Sequence, residues 1–200
     1  MNESLPLLLA PEATLVAGAS LVLLIGLARW EGIRACSFLV SFLTVLAALA
    51  ISWAAGPLDR PIESFGIQLT SLSWFVRLTA LGVGLVVLLV HHHLPQHEER
   101  CEVFSMILFS LTGILLTATA NDLVLLFLAI ELASMPTYIL VAMGRSHIRA
   151  QEAGLKYFLF GSASAGVFLY GLSLLYGFTG TTNIYEMAGP LGELISGSAA

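Results

Sequence analysis

Residues 123–143 read LVLLFLAIELASMPTYILVAM, and this stretch decides the fold. As a helix it reaches ~30 Å, the thickness of a bilayer's hydrocarbon core. Glu131 is the only charge inside it. The rest of the chain has the same character. Apolar types make up 58% of the 200 residues and charged types 10%, against about 25% charged in a soluble domain. Mean hydropathy is +0.91. Eight basic and thirteen acidic side chains are too few to cover a water-soluble globule. A soluble enzyme, a nucleic-acid binder and a disordered tail are excluded, and an all-α integral membrane protein follows.

Working outward from this stretch, five further apolar runs read as spans, giving a bundle of about six transmembrane helices. They are Ala13–Ala28, Ala35–Ala55, Leu72–Val90, Val103–Ala120 and, after Leu123–Met143, Leu155–Phe178. The linkers are short, such as AGPLDRPIESFG at 55–66. The segment TGTTNIYEMAGPLGELISGSAA at 179–200 is too short to span, with Ile184–Ile195 expected at the surface. Three units follow: residues 1–102 with three spans, 103–180 with three more, and 181–200 as an outward tail or truncated connection.

Orientation is read from the loop cations. Arg29, Arg34, Arg100, Arg145, Arg149 and Lys156 lie on one side, and Arg60 alone on the other. The reading places the N-terminus outside and makes the six-cation side cytoplasmic. The first residues, MNESLPLLLAPEATL, lack the basic region of a secretory signal and are expected in the mature chain. Cys36 and Cys101 both fall on the cytoplasmic side and are expected as thiols rather than a disulfide.

Ionisable groups inside membrane helices are costly and call for a reason. Glu131 lies eight residues into its span, ~12 Å from the outer end, and reads as a titrating site facing the bundle interior or as a neutral carboxyl bonded to a neighbouring helix. Pro136 cannot donate to the Leu132 carbonyl, which frees an acceptor beside the carboxylate or simply kinks the helix for packing. Lys156, the only lysine, reads either as a snorkelling topology anchor or as a relay approaching Glu131 from the cytoplasmic side. Arg77, inside the third span, reads as a structural pair or a snorkeller, with a pathway role as the alternative.

The string His91-His92-His93-Leu94-Pro95-Gln96-His97 is read as a cytoplasmic loop, since neighbouring histidines diverge on a helix and Pro95 breaks the pattern. No metal site is expected. His147 is a loop residue first and a proton-entry candidate second. Gly161 to Gly166 offers small residues for close helix approach. There is no phosphate loop, nucleotide fingerprint, haem motif or nucleophile motif.

The stretch ANDLVLLFLAIELASMP at 120–136 resembles the fifth-helix signature of the antiporter-like subunits of respiratory complex I. EAGLKYFLFG at 152–161, Tyr170-Gly171 and TGTTN at 179–183 resemble the subunit N branch of bacterial NADH–quinone oxidoreductases. The resemblance is specific over 103–185 and looser before it. It implies a proton-translocating membrane-arm subunit in which Glu131 and Lys156 match pathway positions and Arg77 matches a third-helix basic position. It also implies the first part of a fourteen-helix fold with two inverted repeats. The chain ends after the sixth span, so it reads as truncated, without the broken helix and the second repeat.

The resemblance places no redox site and no cofactor in this chain. NADH, flavin, iron–sulfur clusters and quinone are expected in partner subunits. The expected partners are the other membrane-arm subunits and the lipid bilayer, in a bacterial inner membrane. A cation/proton antiporter subunit on the same fold, or a non-conducting scaffold remnant, stand as alternatives.

Overall fold

The computed structural model describes residues 9–27, 36–57, 62–64, 66–93, 100–143 and 148–197. The elements are α1 (Ala10–Leu27), α2 (Ser37–Ala55), β1 (Ile62–Ser64), β2 (Ile67–Leu69), α3 (Ser71–His93), α4 (Arg100–Thr117), α5 (Leu123–Ala142), α6 (Ile148–Thr179) and α7 (Ala188–Gly197). Among the described residues, five helices are long and apolar enough to cross a membrane; the apolar part of α4, Cys101–Thr117, is slightly shorter. The all-helical membrane bundle expected from the sequence is present.

α4 is the centre of the bundle and packs on α1, α2, α3 and α5. Cys101, Phe104, Leu108, Leu111 and Leu115 recur at helical spacing along it and are buried. Against them lie Leu15, Ala19 and Val22 of α1, Val45 and Ala48 of α2, and Leu81 and Leu88 of α3. On another side α4 meets α5 at Gly113, where a Cβ would run into the backbone of Leu132 and Ala133. Ser110 Oγ donates to the Ala133 carbonyl at 2.9 Å beside this crossing. Small residues let membrane helices approach this closely, and the hydroxyl adds a bond where no water competes. α6 packs on α5; Gly154 and Leu172 are its buried residues, and most of its length is exposed.

Three features depart from the sequence reading for a physical reason. α6 begins at Ile148, seven residues ahead of the expected Leu155, because Arg149, Ala150, Gln151 and Glu152 are good helix formers whatever their hydropathy. α3 runs through His93. His91 and His92 are therefore helical and not part of a loop: His92 stacks on Phe38 with centroids 3.9 Å apart, and His91 meets Phe104 edge-on at 6.0 Å. From Leu94 on, that string, His97 included, lies outside the described residues, as do His147, Arg29, Arg34, Arg60 and Arg145. The linker between the second and third spans holds a hairpin that three-residue strands make invisible to a periodicity reading.

That hairpin pairs Ile62 with Leu69, Glu63 with Gln68 and Ser64 with Ile67, antiparallel. Gly66 adopts φ +75°, and a Cβ there would strike Asp122. The second strand then bonds the α4–α5 connection: Gln68 N donates to Thr119 O at 2.8 Å, and Asn121 N to Gly66 O at 2.7 Å. On its other side the same connection binds the chain after α6. Leu123 N donates to Thr182 O, and Ile184 N donates to Asn121 O, each at 2.9 Å. Asn121 Nδ2 donates to Asn183 Oδ1 at 3.2 Å.

Residues 119–123 thus join three connections at one end of the bundle, the hairpin end. The opposite, histidine end carries His91 and His92. Two helix starts at the hairpin end are capped. Thr70 and Ser73 exchange bonds through each other's backbone N–H and hydroxyl at the start of α3. Asp122 Oδ1 accepts from Val124 N and Leu125 N at the start of α5.

Thr182 Oγ1 donates to Asp122 Oδ2 at 2.5 Å. This hydroxyl, with the two helix N–H groups, holds the Asp122 carboxyl below its ordinary range. A depressed native pKa contributes stability that is complete above the ordinary value near 3.8 and is lost as pH falls through the depressed one. Asp122→Ala should therefore cost about 1 kcal/mol, the usual loss for an N-cap. Asp122→Asn should keep most of the cap but lose the acid-side dependence. Thermal unfolding in detergent between neutral pH and pH 3 checks both outcomes.

Candidate functional site in the α5–α6 seam

Glu131 sits near the middle of α5 and is half-buried. Helical spacing puts Val124, Phe127, Met135 and Tyr138 on its face, one or two turns away. Phe127 stacks on Phe168 of α6, centroids 6.3 Å apart. Tyr138 packs edge-on against Tyr157 at 4.8 Å and Phe158 at 6.1 Å. Val124 and Met135 are exposed. The carboxylate therefore lies along the seam between α5 and α6, turned away from the Ala129 and Pro136 side that α5 buries. The expectation that it faces the bundle interior holds only in the sense of this seam; the apolar core around α4 is on the other side.

Around it α5 is rich in hydroxyls bonded to carbonyls. Ser134 Oγ donates to Ile130 O at 2.9 Å and lies 3.3 Å from Glu131 O. Thr137 Oγ1 donates to Ser134 O at 2.6 Å and is 3.4 Å from the Tyr157 hydroxyl. Pro136 is buried within the helix, and its missing N–H leaves the Leu132 carbonyl without a helical donor. The Ser110 bond to Ala133 O falls on the next carbonyl. This is the pattern by which membrane helices tolerate a proline: neighbouring hydroxyls re-satisfy the disturbed backbone.

The structure does not bring Lys156 to Glu131. Lys156 Nζ pairs with Glu152 Oε1 at 2.6 Å, one turn away, and both side chains are largely exposed. Such a surface pair contributes little to stability. The ring contacts of Phe127 with Phe168 and of Tyr138 with Tyr157 set the antiparallel register. In that register Glu131 is level with Ser164 and Ala165, so Lys156 lies about eight residues, or ~12 Å, nearer the histidine end. Tyr157, Thr137 and Ser134 occupy the interval, leaving a run of hydroxyls between lysine and carboxylate.

Arg77 finds a partner the sequence reading left unnamed. Its Nη2 donates to Glu12 Oε1 at 2.5 Å, and both residues are buried. Glu12 was missed because the hydropathy run begins at Ala13, whereas α1 begins at Ala10. The available signal was Pro11-Glu12, a proline and an acid of the kind a helix start favours. Cys36 and Cys101 form no disulfide. Among the described residues no group of histidine, cysteine and acidic side chains is arranged to hold a metal. Of the small-residue run, Gly161 lies against the Tyr138 hydroxyl, while Gly166 has open space around it.

Residues 120–197 match the family described as NADH:quinone oxidoreductase/Mrp antiporter, TM. The chain is 37% identical over 200 residues to NADH-quinone oxidoreductase subunit N of Myxococcus xanthus, a match covering 98% of this chain and 38% of that protein. It is 36% identical over 186 residues to F(420)H(2) dehydrogenase subunit N of Methanosarcina mazei, covering 88% and 38%. Among solved structures, respiratory complex I from Thermus thermophilus with bound aureothin superposes with a TM-score of 0.71 at 27% identity, over 86% of this chain and 38% of that one. An archaeal membrane-bound sulfane sulfur reductase superposes with a TM-score of 0.74 at 25% identity, over 92% and 29%. The chain spans about two fifths of the length of the curated relatives it matches. With its helical membrane bundle and its α5 signature, the chain is similar through residues 120–197 to the NADH:quinone oxidoreductase/Mrp antiporter transmembrane family, and over its length it resembles subunit N of NADH-quinone oxidoreductase.

Proposed function

We propose that this chain is part of a proton-translocating membrane-arm subunit of an NADH–quinone oxidoreductase, with Glu131 and Lys156 on its proton pathway. The observation that carries the reading is Glu131 itself: a half-buried carboxylate mid-span, on a seam lined by hydroxyls that lead toward the only lysine. An ionisable group at that depth marks a pathway by default, because a bilayer penalises it otherwise. Protons would pass between water at the histidine end, Lys156, the Tyr157–Thr137–Ser134 hydroxyls and Glu131. Pro136 loosens the α5 backbone beside the carboxylate and supplies the Leu132 carbonyl as an acceptor for water.

In this reading the chain holds no redox group. NADH, flavin, iron–sulfur clusters and quinone belong to partner subunits, and the other membrane-arm subunits are its neighbours. The electron donor is set by those partners, since a relative at similar identity is an F(420)H(2) dehydrogenase subunit. Residues 103–180 form the start of the first antiporter-like repeat, residues 1–102 an N-terminal three-helix unit, and 181–200 a connection beyond it.

The cation distribution supports an orientation with the histidine end in the cytoplasm and the N-terminus outside, in a bacterial inner membrane. A periplasm-active reporter fused after Ala200 should then be active and one fused after Arg145 silent. The reverse pattern would overturn the orientation.

In the intact complex Glu131→Gln should assemble and keep its partner subunits yet lose most proton translocation, while Glu131→Asp retains part of it. Proton uptake per electron, measured in reconstituted vesicles, is the check. Normal pumping by Glu131→Gln would make Glu131 a structural carboxyl.

A further inference from the structure

Away from the α5–α6 seam the chain buries a second carboxylate. Glu12 is 4% exposed and Arg77 5%. They lie on different helices, sixty-five residues apart in sequence, and meet where Arg77 Nη2 donates to Glu12 Oε1. The other carboxylate oxygen, Glu12 Oε2, is buried with no partner among the described residues, as is Ser52 Oγ of α2. Ser52 lies close along the bundle: Trp74, one turn before Arg77, donates its Nε1–H to the Ser52 carbonyl at 2.8 Å. Arg77 is six residues into α3 and Glu12 in the first turn of α1, so the pair is within ~9 Å of the hairpin end.

The geometry is not the one a purely structural pair favours. Arginine and a carboxylate bonded for strength alone tend to a bidentate fork with both oxygens engaged. Here one oxygen is held and the other is left open. Helix-start electrostatics does not require the burial either, because an acid in the first turn interacts with the helix N-terminus equally well in water. A buried ion pair is also a weak contributor to stability, since an apolar pair of similar volume often does as well or better. α2 carries no Asp, Glu, Lys, Arg or His, and the ionisable residues of α4, Arg100, Cys101 and Glu102, lie in its first turn at the histidine end.

We propose that Glu12 and Arg77 form a second proton-exchange site of this chain, separate from Glu131 and served by water at the hairpin end. On loading, an O–H bond forms at Glu12 Oε2 and an O–H bond of the donating hydronium breaks, leaving water. Arg77 keeps all its protons, and the ion pair becomes a guanidinium bonded to a carboxylic acid. Unloading reverses the step. The role rests on the proposed reading of the chain as a proton carrier, and the control below separates the two.

The test is infrared difference spectroscopy across pH on the intact complex, together with proton translocation in vesicles. Glu12→Gln should remove one titrating carboxyl band that Glu131→Gln leaves in place. Glu12→Leu combined with Arg77→Met takes out the pair without stranding a charge; it should assemble, lack the same band and translocate fewer protons per electron. Where Glu12→Gln does not assemble, Glu12→Asp keeps the charge, and a shift of that band carries the same meaning as its loss. If Glu12→Gln or Glu12→Asp leaves every titrating band unmoved, or the double variant pumps like the parent, the pair only fastens α1 to α3 and the proposal is wrong. Loss of pumping in Glu131→Gln with the Glu12 band intact concerns the seam alone.

Discussion

At Gly113 the backbones of α4 and α5 come into contact, and the rest of the arrangement depends on that approach. A side chain there would push α5 outward from the core that α1, α2 and α3 build around α4. With the glycine, α5 turns its Ala129 and Pro136 side to the bundle and leaves Glu131 on the flank that meets α6. Close packing of small residues is what drives helices together in lipid, where apolar burial gives little preference for protein over bilayer. The carboxylate's position therefore follows from a missing Cβ eighteen residues earlier in the chain.

The second constraint is that membrane interiors supply no water for stray backbone groups. Polar side chains along α5 answer it locally: Ser134 and Thr137 bond carbonyls of their own helix, and Ser110 reaches across from α4. These bonds accommodate Pro136, and those of Ser134 and Thr137 lie between the levels of Lys156 and Glu131 along α5. The hairpin end meets the same demand differently, by pairing backbone with backbone. There residues 119–123 tie the hairpin on one side to residues 182–184 on the other, so the starts of α3 and α5 and the end of α6 are held as one unit.

Much of this was legible in the sequence. Apolar runs of membrane-spanning length placed all six long helices, because hydropathy reports directly on what lipid tolerates. Glu131 and Arg77 stood out for the same reason, as charges inside those runs. What hydropathy could not show is where a helix continues past the apolar region. Glu12 fell outside the run by one position, and the Arg149–Gly154 turn looked like loop although its residues favour helix. The histidines were misread through the same cause, since polarity at the end of α3 does not stop the helix while Phe38 and Phe104 offer rings to pack on. The hairpin and its partners depend on contacts across fifty residues or more, which no local pattern encodes.

The central claim is the register of α5 against α6, which puts Glu131 level with Ala165 and Lys156 about two turns away. Cysteine pairs in the full-length subunit, with Cys36 and Cys101 replaced, measure it directly. Glu131→Cys with Ala165→Cys should cross-link with a short bifunctional reagent, and Glu131→Cys with Lys156→Cys should not. Efficient cross-linking of the second pair and none of the first would contradict the placement of the carboxylate and with it the hydroxyl route.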